Sequence, residues 1–133
     1  MSYDSLDKVL FSADGFGKFG ALVNETDDWA CEARRYYFNI CGKYGSQVQM
    51  AMKKIAALDV QAICPLHGPV LKGEPLAAAL KLYDTWSKYE PESDGILIAY
   101  ASIHGGTAAA AEHLGEILRK KGAPKVVVSD LSL

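Results

Sequence analysis

Two residues stand where a loop could present a side chain to a ligand. Asp14 lies in Ala13-Asp-Gly-Phe-Gly-Lys-Phe-Gly20, directly after the apolar run Lys8-Val-Leu-Phe-Ser12; His67 lies in Leu66-His-Gly-Pro69, directly after Val60-Gln-Ala-Ile-Cys64 and Pro65. Glycine and proline interrupt regular structure in both segments, so each side chain is predicted in a turn at the end of a strand. A carboxylate and a neutral imidazole together suit a hard-to-borderline metal such as iron, manganese or zinc. Two ligands do not complete a site, and the plainer reading makes Asp14 a turn-forming aspartate and His67 a hydrogen-bonded loop histidine.

A third candidate is the loop Ser102-Ile103-His104-Gly105-Gly106-Thr107, which separates an apolar strand from a helix start. Backbone N–H groups and the helix dipole converge on an anion at such a place. The Ser102 and Thr107 hydroxyls can add hydrogen bonds to phosphate oxygens, and Gly105 and Gly106 allow close backbone approach. A mononucleotide phosphate fits this pattern, although the loop matches neither Gly-x-Gly-x-x-Gly nor Gly-x-x-x-x-Gly-Lys-Ser/Thr. The alternative is a plain tight turn with Thr107 capping the helix. His104 borders the loop, His113 reads as a solvated mid-helix residue, and no Ser/His/Asp arrangement is apparent.

The elements that would position these loops can be read from spacing. A strand over 8–12 carries Asp14 at its end. The acidic pair Asp27-Asp28 precedes a helix from Trp29 to Phe38, and Ser46 is predicted to cap a second helix, Gln47 to Leu58, with Val48, Met52 and Ile55 on one face. A strand over 60–64 ends at Pro65, and Pro75 opens a helix from Leu76 to about Tyr89. Glu90-Pro-Glu-Ser-Asp-Gly95 is the strongest linker signal, which places a domain boundary there: residues 1–90, a linker over 91–95, and residues 96–133. The last part reads as strand (Ile96 to Ala101), helix (Thr107 to Lys121, Gly122 its C-cap) and strand (Lys125 to Val128), a parallel-sheet unit that stops after two strands.

Composition narrows the function classes. The 133 residues allow one ordinary domain, and 50% hydrophobic with 23% charged residues describes a globular chain. A net charge of −2 offers no electrostatic footprint for nucleic acid or an anionic membrane surface. No apolar stretch approaches the roughly 20 residues of a membrane span, and Met1-Ser-Tyr-Asp-Ser lacks a basic leader. Cys31, Cys41 and Cys64 are odd in number and far apart, as expected for reduced packing residues in a cytoplasmic protein.

Five segments together carry a family likeness. Ser12-Ala-Asp-Gly-Phe-Gly-Lys-Phe-Gly20, Ala33-Arg-Arg-Tyr-Tyr-Phe-Asn-Ile40, Ile63-Cys-Pro-Leu-His-Gly-Pro69, Tyr83-Asp-Thr-Trp-Ser-Lys88 and Tyr100-Ala-Ser-Ile-His-Gly-Gly-Thr107 resemble, in this order, the flavodiiron proteins, also called A-type flavoproteins. The resemblance implies an α/β chain. Residues 1–90 would be the C-terminal part of a metallo-β-lactamase-like αββα domain with a di-iron centre, and residues 96–133 the first β-α-β unit of a flavodoxin-like parallel sheet that binds FMN. It also implies an electron donor such as rubredoxin or a reductase, two iron ions that reduce oxygen to water or nitric oxide to nitrous oxide, and a homo-oligomeric parent. By motif, Asp14 matches the carboxylate that bridges the irons, His67 the last histidine ligand, and Ser102, Ile103, His104, Gly105, Gly106 and Thr107 the FMN phosphate loop. The family's His-x-Glu-x-Asp ligand cluster and its next histidine have no counterpart here. The expectation is therefore an internal slice of such an enzyme, inactive when isolated. The competing readings are an FMN- or phosphate-binding electron-transfer module without catalysis of its own, and a nonfunctional fragment that folds poorly.

Overall fold

The computed structural model describes residues 1–23 and 28–132. It separates into two compact units, Met1–Glu90 and Pro91–Leu133.

In the first unit the alternation of Leu10, Phe11 and Ser12 sets the sheet. Leu10 and Ser12 are buried and Phe11 is exposed, the period of a strand with one face on a core. This strand, β2 (Val9–Ala13), pairs antiparallel with β1 (Ser2–Asp4). Helix α1 (Trp29–Ile40) follows, then a single 3₁₀ turn (Gly42–Tyr44) and helix α2 (Gly45–Ala56). Strand β3 (Ala62–Pro65) pairs parallel to β2, and the two-residue β4 (Leu71–Lys72) pairs antiparallel to β3, giving the order β1-β2-β3-β4. Helix α3 (Gly73–Ser87) closes the unit.

The core lies between the sheet and the helices. Ala33 and Tyr37 of α1, four residues apart, meet Ile55 of α2, Ile63 of β3, and Ala79, Tyr83 and Trp86 of α3. Aromatic rings dominate it: Tyr37 sits edge-on to Tyr83 at 5.0 Å between centroids, and Phe16 stacks on Tyr83 at 4.2 Å. Ile55 is buried, and Val48 and Met52 pack against this core, as their helical spacing predicts.

One of the expected helix starts holds and two change. Asp28 caps α1, its carboxylate accepting from the Ala30 amide, while Asp27 lies outside the described residues. Ser46 does not cap α2: it is the second residue of that helix, and its hydroxyl bonds the Gln47 side chain. The amide of Gly45 is instead taken by the Tyr89 hydroxyl, at 3.3 Å. Helix α3 begins two residues before Pro75, which sits in its first turn where a missing N–H costs nothing.

The second unit is a right-sized β-α-β: β5 (Ile96–Tyr100), helix α4 (Gly106–Lys120) and β6 (Val126–Asp130), the strands paired in parallel from Ile96↔Val126 to Tyr100↔Asp130. Gly122, at φ +86°, ends α4 in the left-handed conformation that glycine adopts without strain. Among the described residues no helix is long and apolar enough to cross a membrane.

Candidate functional site

Ala13 and Pro65 face each other at the carboxyl ends of the parallel pair β2 and β3, so the chains that follow them leave the sheet at the same edge. Asp14 and His67 follow from there. The Asp14 Oδ1 and His67 Nε2 atoms are 3.9 Å apart, with the side chains 55% and 61% exposed respectively. Both face an open cavity of about 670 Å³, which Tyr36, Lys18, Phe19 and Ile40 also line.

The two loops are clasped by backbone. Leu66 N–H donates to the Ala13 carbonyl at 2.9 Å, and Lys18 N–H to the His67 carbonyl at 2.9 Å. Gly17 makes that approach possible: a Cβ there would lie 2.9 Å from the His67 carbonyl oxygen and 3.0 Å from the Tyr36 ring. Tyr36, buried on α1, donates its hydroxyl to Asp14 Oδ1 at 3.1 Å. Burial, with the Asp14 carboxylate beside it, pushes the Tyr36 phenol up to about 12, so this hydroxyl keeps its proton and remains a donor.

A carboxylate and an imidazole at this separation suit two places in a metal's donor set. They do not complete one, since no group of three or more His, Cys, Asp and Glu gathers among the described residues. Cys41 and Cys64 are half-buried and Cys31 is exposed, all as free thiols.

The second unit places Ser102 to Gly105 after β5 and Gly106 and Thr107 in the first turn of α4. Gly105 is the N-cap at φ +80°, and no side chain caps the helix. The capping role considered for Thr107 is therefore not present, because Thr107 is the second helical residue, beyond the position from which a hydroxyl folds back on the first turn. The amides of that turn are left to another acceptor. A Cβ added at Gly105 or Gly106 would meet nothing within 4 Å, so the space over these backbone groups is open. Ser102 is half-buried, Ile103 is 93% exposed, and His104 and His113 are exposed.

Spacing alone did not single out Tyr36. It lies three residues from Ala33 on the core face of α1, where an aromatic side chain reads as packing, and only the fold brings its hydroxyl to Asp14.

No family model matches this chain. It is 31% identical over 126 residues to a diflavin flavoprotein (A 5) of Nostoc, covering 91% of this chain and 22% of that protein. It is 30% identical over 133 residues to the type A flavoprotein of Rhodobacter capsulatus, covering 94% and 31%. Among solved structures it superposes on the flavodiiron protein from Giardia intestinalis with a TM-score of 0.85 at 26% identity, over 96% of this chain and 32% of that one. The rubredoxin:oxygen oxidoreductase of Desulfovibrio gigas gives 0.83 at 26% identity, over 96% and 34%. By sequence and by fold the chain is related to the flavodiiron, or type A, flavoproteins, and it spans 22–34% of the length of these relatives.

Proposed function

We propose that this chain carries parts of both cofactor sites of a flavodiiron oxidoreductase. In this reading residues 1–90 are part of a metallo-β-lactamase-like iron domain, 91–95 a linker, and 96–133 the start of a flavodoxin-like FMN domain. The observation that carries it is the 3.9 Å separation of Asp14 Oδ1 and His67 Nε2 at the ends of adjacent parallel strands. Bound iron and FMN supply redox chemistry that no side chain here provides. Asp14 and His67 would be the residues here that hold iron, and Tyr36, by donating to Asp14 Oδ1, leaves the other carboxylate oxygen free of that bond. In the second unit the uncapped N–H groups of the first turn of α4, with the Ser102 and Thr107 hydroxyls, would donate to the flavin phosphate, and Gly105 and Gly106 leave space for it.

Relatives include a rubredoxin:oxygen oxidoreductase, which supports a rubredoxin-type donor and oxygen as substrate; nitric oxide is the alternative substrate. The parent is proposed as a cytoplasmic homo-oligomer. With two donors among its described residues, the chain alone should bind less than an iron pair and show no oxygen or nitric oxide reductase activity.

The test uses the longer protein of which this chain is proposed to be part. Asp14→Ala should lower iron, read by elemental analysis, and leave flavin absorbance unchanged. Thr107→Ala should weaken FMN by roughly 1 kcal/mol, about one hydrogen bond, and leave iron in place. Full iron in Asp14→Ala, or iron loss with flavin retained in Thr107→Ala, would sink the assignment.

A further inference from the structure

Asp14 sits between two strained residues. Ala13 has φ +54° and Phe16 φ +64°, both left-handed and neither a glycine. They belong to two successive tight turns that overlap at Asp14: Gly15 N–H donates to the Ser12 carbonyl at 3.1 Å, and Gly17 N–H to the Asp14 carbonyl at 3.3 Å. The strand entering them is irregular, with a register shift between Phe11 and Ala13. Non-glycine residues in this region persist only where surrounding bonds over-determine them, and such strain gathers at functional sites.

The bonds that hold the turns come from two sources. One is local: the buried Ser12 hydroxyl donates to the Gly15 carbonyl at 2.6 Å. The other comes from far along the chain. Tyr83, buried on α3, accepts from the Phe16 amide at 2.6 Å while its ring stacks on the Phe16 ring. Without that acceptor the Phe16 amide would be a buried donor with no partner, at the residue whose φ is strained.

We propose that Tyr83 is a positioning residue for the metal site: its hydroxyl, by accepting from Phe16 N–H, holds the strained Ala13–Phe16 turn in the shape that presents Asp14 to His67. This rests on the reading of Asp14 and His67 as metal ligands. It assigns a role at the site to a residue of α3 that acts on Asp14 only through the turn, by its bond and ring contact with Phe16.

Tyr83→Phe keeps the ring and removes only the acceptor. Two readouts apply to the chain itself, isotopically labelled for NMR. In the first, amide exchange at Phe16 should quicken about tenfold, the effect of losing one hydrogen bond, beyond any change at Ile63, which reports global opening. In the second, Co²⁺ alone is titrated and its paramagnetic broadening of the His67 ring signals is followed. Broadening should saturate in the unmodified chain, fail to saturate in Asp14→Asn, and in Tyr83→Phe require several-fold more Co²⁺. Ser12→Ala, which loosens the same turn without touching α3, should shift both readouts in the same direction. Unchanged Phe16 exchange in Tyr83→Phe overturns the proposal. So does unchanged Co²⁺ dependence in Tyr83→Phe when Asp14→Asn abolishes it, and in that case the metal reading stands. Absence of saturable broadening in the unmodified chain, or broadening indifferent to Asp14→Asn, removes the metal reading and the proposal with it.

Discussion

Three tyrosines around the core differ in what their hydroxyls do. Tyr36 donates to Asp14 and Tyr83 accepts from Phe16, but the Tyr37 hydroxyl is buried with no hydrogen-bond partner among the described residues. Burial, and then Cys41 and Tyr89, push the Tyr37 phenol up to about 12, and burial pushes Tyr83 higher still. A raised pKa in the folded state means stability that is fully present below the ordinary tyrosine value near 10 and is lost as pH climbs through the folded value. Tyr37→Phe removes a polar group that gains nothing from burial, so stability at pH 7 should be unchanged or up to about 1 kcal/mol higher. The alkaline unfolding midpoint, followed by circular dichroism, should move up by a few tenths of a pH unit or more; a lower midpoint would mean that the Tyr37 hydroxyl does have a partner. The sequence pair Tyr36-Tyr37 does not disclose this difference. Adjacent residues on a helix are turned roughly 100° apart, and which hydroxyl finds a partner depends on loops more than twenty residues away in sequence. The turns that carry Asp14 and His67 were legible as turns, because glycine and proline interrupt both strands, while the bond from Tyr83 that helps hold the first was not.

At the level of elements, the long periodic segments read correctly and their ends less so. Helices α1 to α4 appear where spacing puts them, since an apolar face at helical period has one place to go. Strands β1 and β4 did not show, being three and two residues long, too short for alternation to register. Helix starts depend on single hydrogen bonds, and there the expected acidic start of α1 and the expected Ser46 cap of α2 divide. Asp28 accepts from the Ala30 amide at 3.0 Å, whereas Ser46 is one residue inside α2 and its hydroxyl is turned to Gln47. Asp28→Ala should therefore cost about 1 kcal/mol of unit stability, the ordinary worth of an N-cap, and Ser46→Ala less than about 0.5 kcal/mol. Urea titrations of the two variants decide it: a larger loss for Ser46→Ala than for Asp28→Ala would put the helix start where the sequence first suggested.

The two units differ sharply in how much they bury. The contiguous core runs from Leu10 to Trp86, entirely within Met1–Glu90, and includes four fully or nearly fully buried aromatic rings. Among the described residues of Pro91–Leu133 one apolar side chain is buried, Ala111. Its sheet has two strands, α4 covers one face, and on the other Leu97 and Val127 stand exposed at paired positions. Parallel sheets are ordinarily covered on both faces, and two strands rarely hold together without more packing. The break was visible as Glu90-Pro-Glu-Ser-Asp-Gly95, and so was a sheet that stops after two strands; which apolar residues of 96–128 stay uncovered was not, because they look as rich in the sequence as those of the first unit and only the fold separates them. Stability in this chain should accordingly be uneven. In native-state amide exchange, Ile98 and Val128 of the β5–β6 pair should open at least about tenfold more readily than Ile63 of β3, a difference of about 1.4 kcal/mol or more. Urea should melt the signals of 91–132 before those of 1–90. Equal protection of Ile98 and Ile63, with one shared transition, would show that the two units fold as a single cooperative body and that the exposed face of the second is not a weakness in this chain. FMN added in excess should raise the protection of β5 and α4 selectively if the loop over Gly105 takes its phosphate, because a ligand that binds only the folded unit stabilises that unit alone.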